Sequence, residues 1–149
     1  MPPINDPTSQ AATDAQANAQ PIVAETHSNT KSQMILIVED ERPLAHALEM
    51  KLKNEGYVTH TCGNGTDALV ELEKGGYGLV LLDIIMPVMD GFAVLAEMQQ
   101  RKYTVPIIVL SNLGQEEDRA KSKELGAVDY FVKSNTPIAQ IMQRVKTVL

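Results

Sequence analysis

The apolar residues of this chain follow two alternating rhythms. Short runs of branched aliphatics ("MILIV" at Met34 to Val38, "LVLLDIIM" from Leu79, "VPIIVLS" at Val105 to Ser111) have no polar face and are bounded by turn residues. That is the pattern of strands buried on both sides of a parallel sheet. "YVTHT" at Tyr57 to Thr61 alternates instead, and "VDYFVK" at Val128 to Lys133 supplies a fifth strand. Between these runs, apolar residues recur every three or four positions. Pro43 opens the first such stretch, with Leu44, Leu48 and Leu52 on one stripe and Gly56 as its stop. Asn64, with Asp67 three residues on, resembles a capping box and starts a second helix through Leu69 and Leu72, ended by Gly75-Gly76. The third is predicted over about Gly91 to Gln100, with Phe92 and Leu95 toward the core. The fourth, Gln115 to Leu125, is helical by propensity but mostly charged; its anchors reduce to Ala120 and Leu125, with Gly126 as a cap, so it should be loosely held. Thr136-Pro137 opens the last, with Ile138, Ile141, Met142, Val145, Val148 and Leu149 at helical spacing.

Five strands alternating with five helices predict a doubly wound α/β fold: a parallel sheet, right-handed crossovers and helices on both faces. All strand ends then face one side, and the crevice beyond them is where such sheets bind ligands. Walking those ends collects Glu39 and Asp40 after the first strand, Asp83 after the third, Ser111 after the fourth and Lys133 after the fifth.

Three carboxylates in one crevice repel one another, so either their pKa values rise or a hard cation neutralises them. Mg²⁺ suits that role, because it takes oxygen ligands and is usually held by one or two carboxylates together with phosphate oxygens. A carboxylate can itself attack phosphorus to form an aspartyl phosphate. The transfer needs alignment and neutralisation of the equatorial oxygens, for which Ser111 and Lys133 are suitable donors. Singly, an acidic pair before a helix, a loop serine and a lysine at a strand end are ordinary; their joint placement is not.

The residues "LIVEDE", "LLDIIMPVMDG", "IIVLS" and "YFVKS" resemble the receiver domain of bacterial two-component response regulators, a five-stranded flavodoxin-like or CheY-like fold, over residues 34–149. The resemblance implies that Asp83 is the phosphoacceptor, that Glu39 and Asp40 are metal-side acids, and that the backbone carbonyl of Ile85 is a further Mg²⁺ ligand. It implies that Ser111 binds the phosphoryl group, that Lys133 pairs with it, and that Tyr130 turns inward when Ser111 moves. Met86-Pro87 and Asp90-Gly91 match the family's turn, with Asp90 read as a turn or cap residue. The protein is then no enzyme but a signalling protein that supports its own Mg²⁺-dependent phosphorylation and slow autodephosphorylation. Its expected partners are a sensor histidine kinase and either a downstream target protein or a histidine phosphotransfer protein in a phosphorelay. Phosphorylation-dependent homodimerisation and a phosphorylation-independent binding module are the other outcomes weighed. With no output domain after Leu149, a stand-alone regulator is the expectation.

Three positions depart from the family's pattern. Ser134 follows Lys133 where proline is usual, so either a cis bond is retained under strain or the loop differs. Asn112 follows Ser111 where a small residue is typical, and Ile85 is apolar two residues after Asp83. An apolar Ile85 orients attacking water poorly, which predicts a long-lived phosphorylated state. It also removes the second acid that an aspartyl-phosphate phosphatase would need there. "GNG" at Gly63 to Gly65 follows the second strand and lacks the dinucleotide fingerprint.

Composition narrows the partners further. At 149 residues one domain is the default. Residues 1–33 are rich in Pro, Ala, Gln, Asn and Thr with no aromatic residue and no Leu, and read as a disordered tail. The formal charge of −6 and the absence of any basic tract argue against nucleic acid or an anionic membrane as main partner. No apolar segment is long enough to span a bilayer, and the lone Cys62 suits a reducing compartment; a cytoplasmic protein is expected. His27, His46 and His60 have no second ligand at metal spacing.

Overall fold

The aliphatic runs pair into one parallel sheet. β1 (Met34–Val38), β2 (Val58–Cys62), β3 (Leu79–Leu82), β4 (Ile107–Ser111) and β5 (Asp129–Val132) lie in the order β2-β1-β3-β4-β5. The computed structural model describes residues 33–149, so the tail expected over residues 1–33 lies, Gln33 apart, outside the described residues. Five helices connect or follow the strands: α1 (Arg42–Asn54), α2 (Gly65–Lys74), α3 (Gly91–Gln100), α4 (Glu116–Glu124) and α5 (Ile138–Val148).

Because side chains alternate along a strand, the sheet feeds two separate cores. Ile35, Ile37, Leu79, Leu81, Ile108 and Leu110 pack under Leu48 and Leu52 of α1 and Ile141, Met142 and Val145 of α5. Leu36, Val38, Val80, Leu82 and Val109 face the other way, against Leu69 and Leu72 of α2 and Val94, Leu95 and Met98 of α3. This two-sided burial is why β1, β3 and β4 have no polar face.

Several predicted boundaries shift for local reasons. Tyr57 donates its amide to the Leu52 carbonyl at the end of α1, so β2 starts at Val58. Pro137 is the N-cap of α5 rather than its first residue. In α2, Asn64 caps as expected: its side-chain oxygen accepts from the Asp67 amide at 2.9 Å. In α4 the expected anchor is corrected, since Ala120 is exposed, Leu125 is half-buried, and Ser122 is the buried residue. The helix's charges instead suit its dipole, with Glu116, Glu117 and Asp118 in the first turn and Lys121 and Lys123 in the last. After β5, residues Lys133–Asn135 form a 3₁₀ turn, and no peptide bond among the described residues is cis; of the two outcomes for Lys133-Ser134, the loop differs. No helix among the described residues is long and apolar enough to cross a membrane.

Candidate functional site

The hydrogen-bond ladder of the central strands continues one residue past their ends and fixes the acids found there. The Asp83 amide donates to the Val38 carbonyl and the Glu39 amide to the Cys62 carbonyl, both at 2.9 Å. Behind Asp83 the chain turns through Val88, which has φ of 72°, and the Met89 amide closes on the Pro87 carbonyl at 2.7 Å. Asp90 then caps α3 by accepting from the Ala93 amide at 2.9 Å, the cap role its position suggested. Gly91 packs directly beneath the acid: a Cβ there would lie 2.3 Å from the Asp83 carbonyl oxygen and 2.7 Å from the Ile84 Cα. Only glycine permits that approach.

Glu39 and Asp83 are both 4% exposed, yet they meet a cation. The Lys133 ammonium lies 2.7 Å from Glu39 Oε2 and 3.1 Å from Asp83 Oδ2. It also lies 3.3 Å from Oε1 of Glu41, a residue the sequence reading did not single out. Burial pushes the Glu39 carboxyl up to about 7, against the pull of Lys133 and of the Glu41 amide. Burial raises Asp83 as well, again opposed by Lys133. For Lys133 itself, burial works against the charge, but hydrogen bonding to Glu39 and the negative charge of Asp83 outweigh it and raise its pKa. This is a crowded anionic site in which the lysine is the resident counter-charge.

Glu39, Asp40 and Asp83 each offer one carboxylate oxygen, and the three oxygens lie within 4.8 Å of one another. An all-oxygen set at that spacing, with Asp40 exposed to water, fits a hard divalent cation such as Mg²⁺. Beside it is a cleft of about 220 Å³ lined by Asp40, Glu41, Asp83, Ile85, Asn112 and Lys133. Ile85 is 59% exposed and lines this cleft.

The hydroxyl side is arranged differently. Ser111 is fully buried, and its Oγ accepts from the Leu113 amide at 3.2 Å. Tyr130 is 5% exposed, already turned inward, and its hydroxyl donates to the Leu113 carbonyl. Leu113 therefore bridges the two residues expected to move together. Arg119 of α4 fastens the tyrosine from outside, donating to the Tyr130 carbonyl at 3.0 Å with its guanidinium 5.0 Å from the ring centroid. Arg119 carried no signal in a helix of mixed charges. Glu41 had one: it is the third acid of "EDE".

The model of the response regulator receiver domain matches residues 35–146. The chain belongs to the response regulator receiver family. This receiver domain is 39% identical over 119 residues to the probable transcriptional regulator ycf27 of Porphyra purpurea, covering 80% of this chain and 48% of that protein. The receiver domain of Francisella response regulator 1452 superposes with a TM-score of 0.74 at 25% identity, covering 77% of this chain and 94% of that one. The Thermotoga maritima response regulator TrrA, solved in complex with Mg²⁺-BeF, gives a TM-score of 0.69 at 35% identity, covering 80% of this chain and all of that one (100%). The chain spans about half the length of the curated relatives it matches. Phosphorylation and Mg²⁺ binding are typical of the family, and the resemblance read from the four motifs is confirmed.

Proposed function

We propose that this receiver domain accepts a phosphoryl group on Asp83 from a sensor histidine kinase in a Mg²⁺-dependent reaction in the cytoplasm. It then signals by a phosphorylation-dependent change in protein contacts. The observation that carries this reading is the buried Asp83 at the end of the central strand, 3.1 Å from the Lys133 ammonium and grouped with Glu39 and Asp40. An Asp83 carboxylate oxygen attacks phosphorus, the bond from phosphorus to the donor histidine nitrogen breaks, and that nitrogen keeps the electron pair. Glu39, Asp40 and Asp83, with the Ile85 carbonyl, would hold the Mg²⁺, whose chemical contribution is to neutralise phosphoryl oxygens as a Lewis acid.

This chain's residues do the rest. Lys133 exchanges Asp83 for a phosphoryl oxygen, and Ser111 leaves the Leu113 amide to donate to another. Releasing that amide disturbs the segment that also accepts from Tyr130, and through Tyr130 it reaches Arg119 and α4. The output face is then α4, β5 and α5, offered to a partner protein. Ile85 supports slow hydrolysis, since an exposed apolar side chain at the cleft gives attacking water no hydrogen-bond partner.

Mass spectrometry after incubation with acetyl phosphate tests the reading. One phosphoryl adduct is expected in wild type, lost on chelating Mg²⁺ and lost in Asp83→Asn. No adduct in wild type, or an adduct that survives in Asp83→Asn, would overturn it. Back-transfer to a purified histidine phosphotransfer domain then separates a stand-alone regulator from a phosphorelay intermediate.

A further inference from the structure

α1 begins without the side-chain cap its first position could supply. Glu41 is the N-cap residue, yet its carboxylate takes no amide of the helix's first turn. Pro43 accounts for part of this, because it has no N–H and so removes one of the two amides an N-cap side chain ordinarily receives. The carboxylate reaches across the cleft instead, placing Oε1 3.3 Å from the Lys133 ammonium. The backbone of the same residue faces the other way, its amide donating to Glu39 Oε1 at 3.1 Å. Glu41 thus joins the N-terminal acids to the lysine at the end of β5.

Lys133 has three anionic neighbours with different obligations. Glu39 and Asp83 belong to the oxygen group suited to a divalent cation; Glu41 does not. An ammonium and a metal ion draw on the negative charge of the same two carboxylates, so a bound cation weakens the hold of Lys133 on Glu39 and Asp83. Its side chain is only 11% exposed, and a charge that sheltered is costly to leave without an anion. Glu41 is 59% exposed and free of the metal group, so its hold on the ammonium can tighten as the other two slacken.

We infer that Glu41 is a positioning residue: it retains the Lys133 ammonium when Glu39 and Asp83 turn to a divalent cation, and holds it over the cleft beside the phosphoryl position. This rests on the metal-dependent reading above and extends it to a residue outside the metal group. Glu41 therefore favours cation binding through Lys133, by giving the lysine somewhere to go.

Calorimetric titration of the full chain with Mg²⁺ tests this, using wild type, Glu41→Gln and Glu41→Asp, each also in a Lys133→Met background. Glu41→Gln is expected to weaken Mg²⁺ binding about three- to five-fold, the scale of one partly exposed ion pair. Glu41→Asp keeps the charge but shortens the reach, and is expected to weaken binding nearly as much. Both effects should vanish in Lys133→Met. If Glu41 acted only through its negative field, Glu41→Asp would match wild type and Glu41→Gln would cost the same without Lys133; either result overturns the inference. Mg²⁺ binding with the expected pattern but no adduct on Asp83 would sink the phosphoacceptor reading alone. Failure of wild type to bind Mg²⁺ would sink both.

Discussion

The two flanks of the cleft are built on different physics. Glu39 and Asp83 follow β1 and β3, central strands covered on both faces, and Gly91 is wedged beneath Asp83 at van der Waals limits. Ser111 and Tyr130 belong to β4 and β5, and the helix that flanks them, α4, buries one residue, a serine. α4 is held by exchangeable contacts: Arg119 on Tyr130, Lys121 stacked 4.3 Å from the Phe92 ring centroid, and the Gln99 side chain on the Glu124 carbonyl at 3.2 Å. Apolar burial is lost all at once, whereas directional contacts can be traded for others of similar worth. The acidic flank therefore receives the group, and the other flank can rearrange around it at low cost.

The sharpest way to break this contrast is Gly91→Ala. The added methyl has backbone on two sides and nowhere to move, so urea unfolding should show a loss of about 3 kcal/mol or more. A variant as stable as wild type would mean that the acidic flank yields.

Next in size is a pH dependence without metal. Glu39 keeps its proton to about 7 in the fold against an ordinary value of 4.5, so between these limits the folded chain binds more protons than the unfolded one. Stability present below the lower value is therefore lost as pH rises through the upper, and the raised Asp83 acts in the same sense. Urea midpoints measured in a chelator should fall across that window, and saturating Mg²⁺ should flatten the slope.

On the opposite flank the effects shrink and one changes sign. The Ser122 hydroxyl is buried with no hydrogen-bond partner. Ser122→Ala should stabilise the domain by about 1 kcal/mol, read by thermal unfolding. Smallest is Arg119→Ala, expected to cost about 1 kcal/mol or less globally while speeding amide exchange across α4. Unchanged exchange in that variant would show that α4 is anchored by something other than Arg119.

The same contrast governs what could be read from the sequence. The acidic flank was legible because it is backbone-determined: aliphatic runs fix the strands, strands fix their ends, and Glu39, Asp83 and Lys133 converge by topology. The bounds of α3, Gly91–Gln100, were legible too, since Asp90 and Gly91 mark its start. The hydroxyl flank depends on where side chains point. Ser111 bonding to the Leu113 amide leaves no trace in residue order. Nor does burial of Ser122 in place of Ala120, because a helix with almost no apolar stripe gives no phase from which to choose its inner face. Glu41 was hidden for a third reason, since an acid before a helix has a local explanation that the structure does not use.

The strand order also has a consequence for how the domain is made. In chain order Glu39, Asp40 and Asp83, and the strands β1 and β3 that precede them, all come before β5. Any route that pairs β1 with β3 before β5 docks would gather like charges ahead of their counter-charge. On such a route Lys133 would complete the charge balance of the domain as well as its sheet, since its ammonium meets both Glu39 and Asp83.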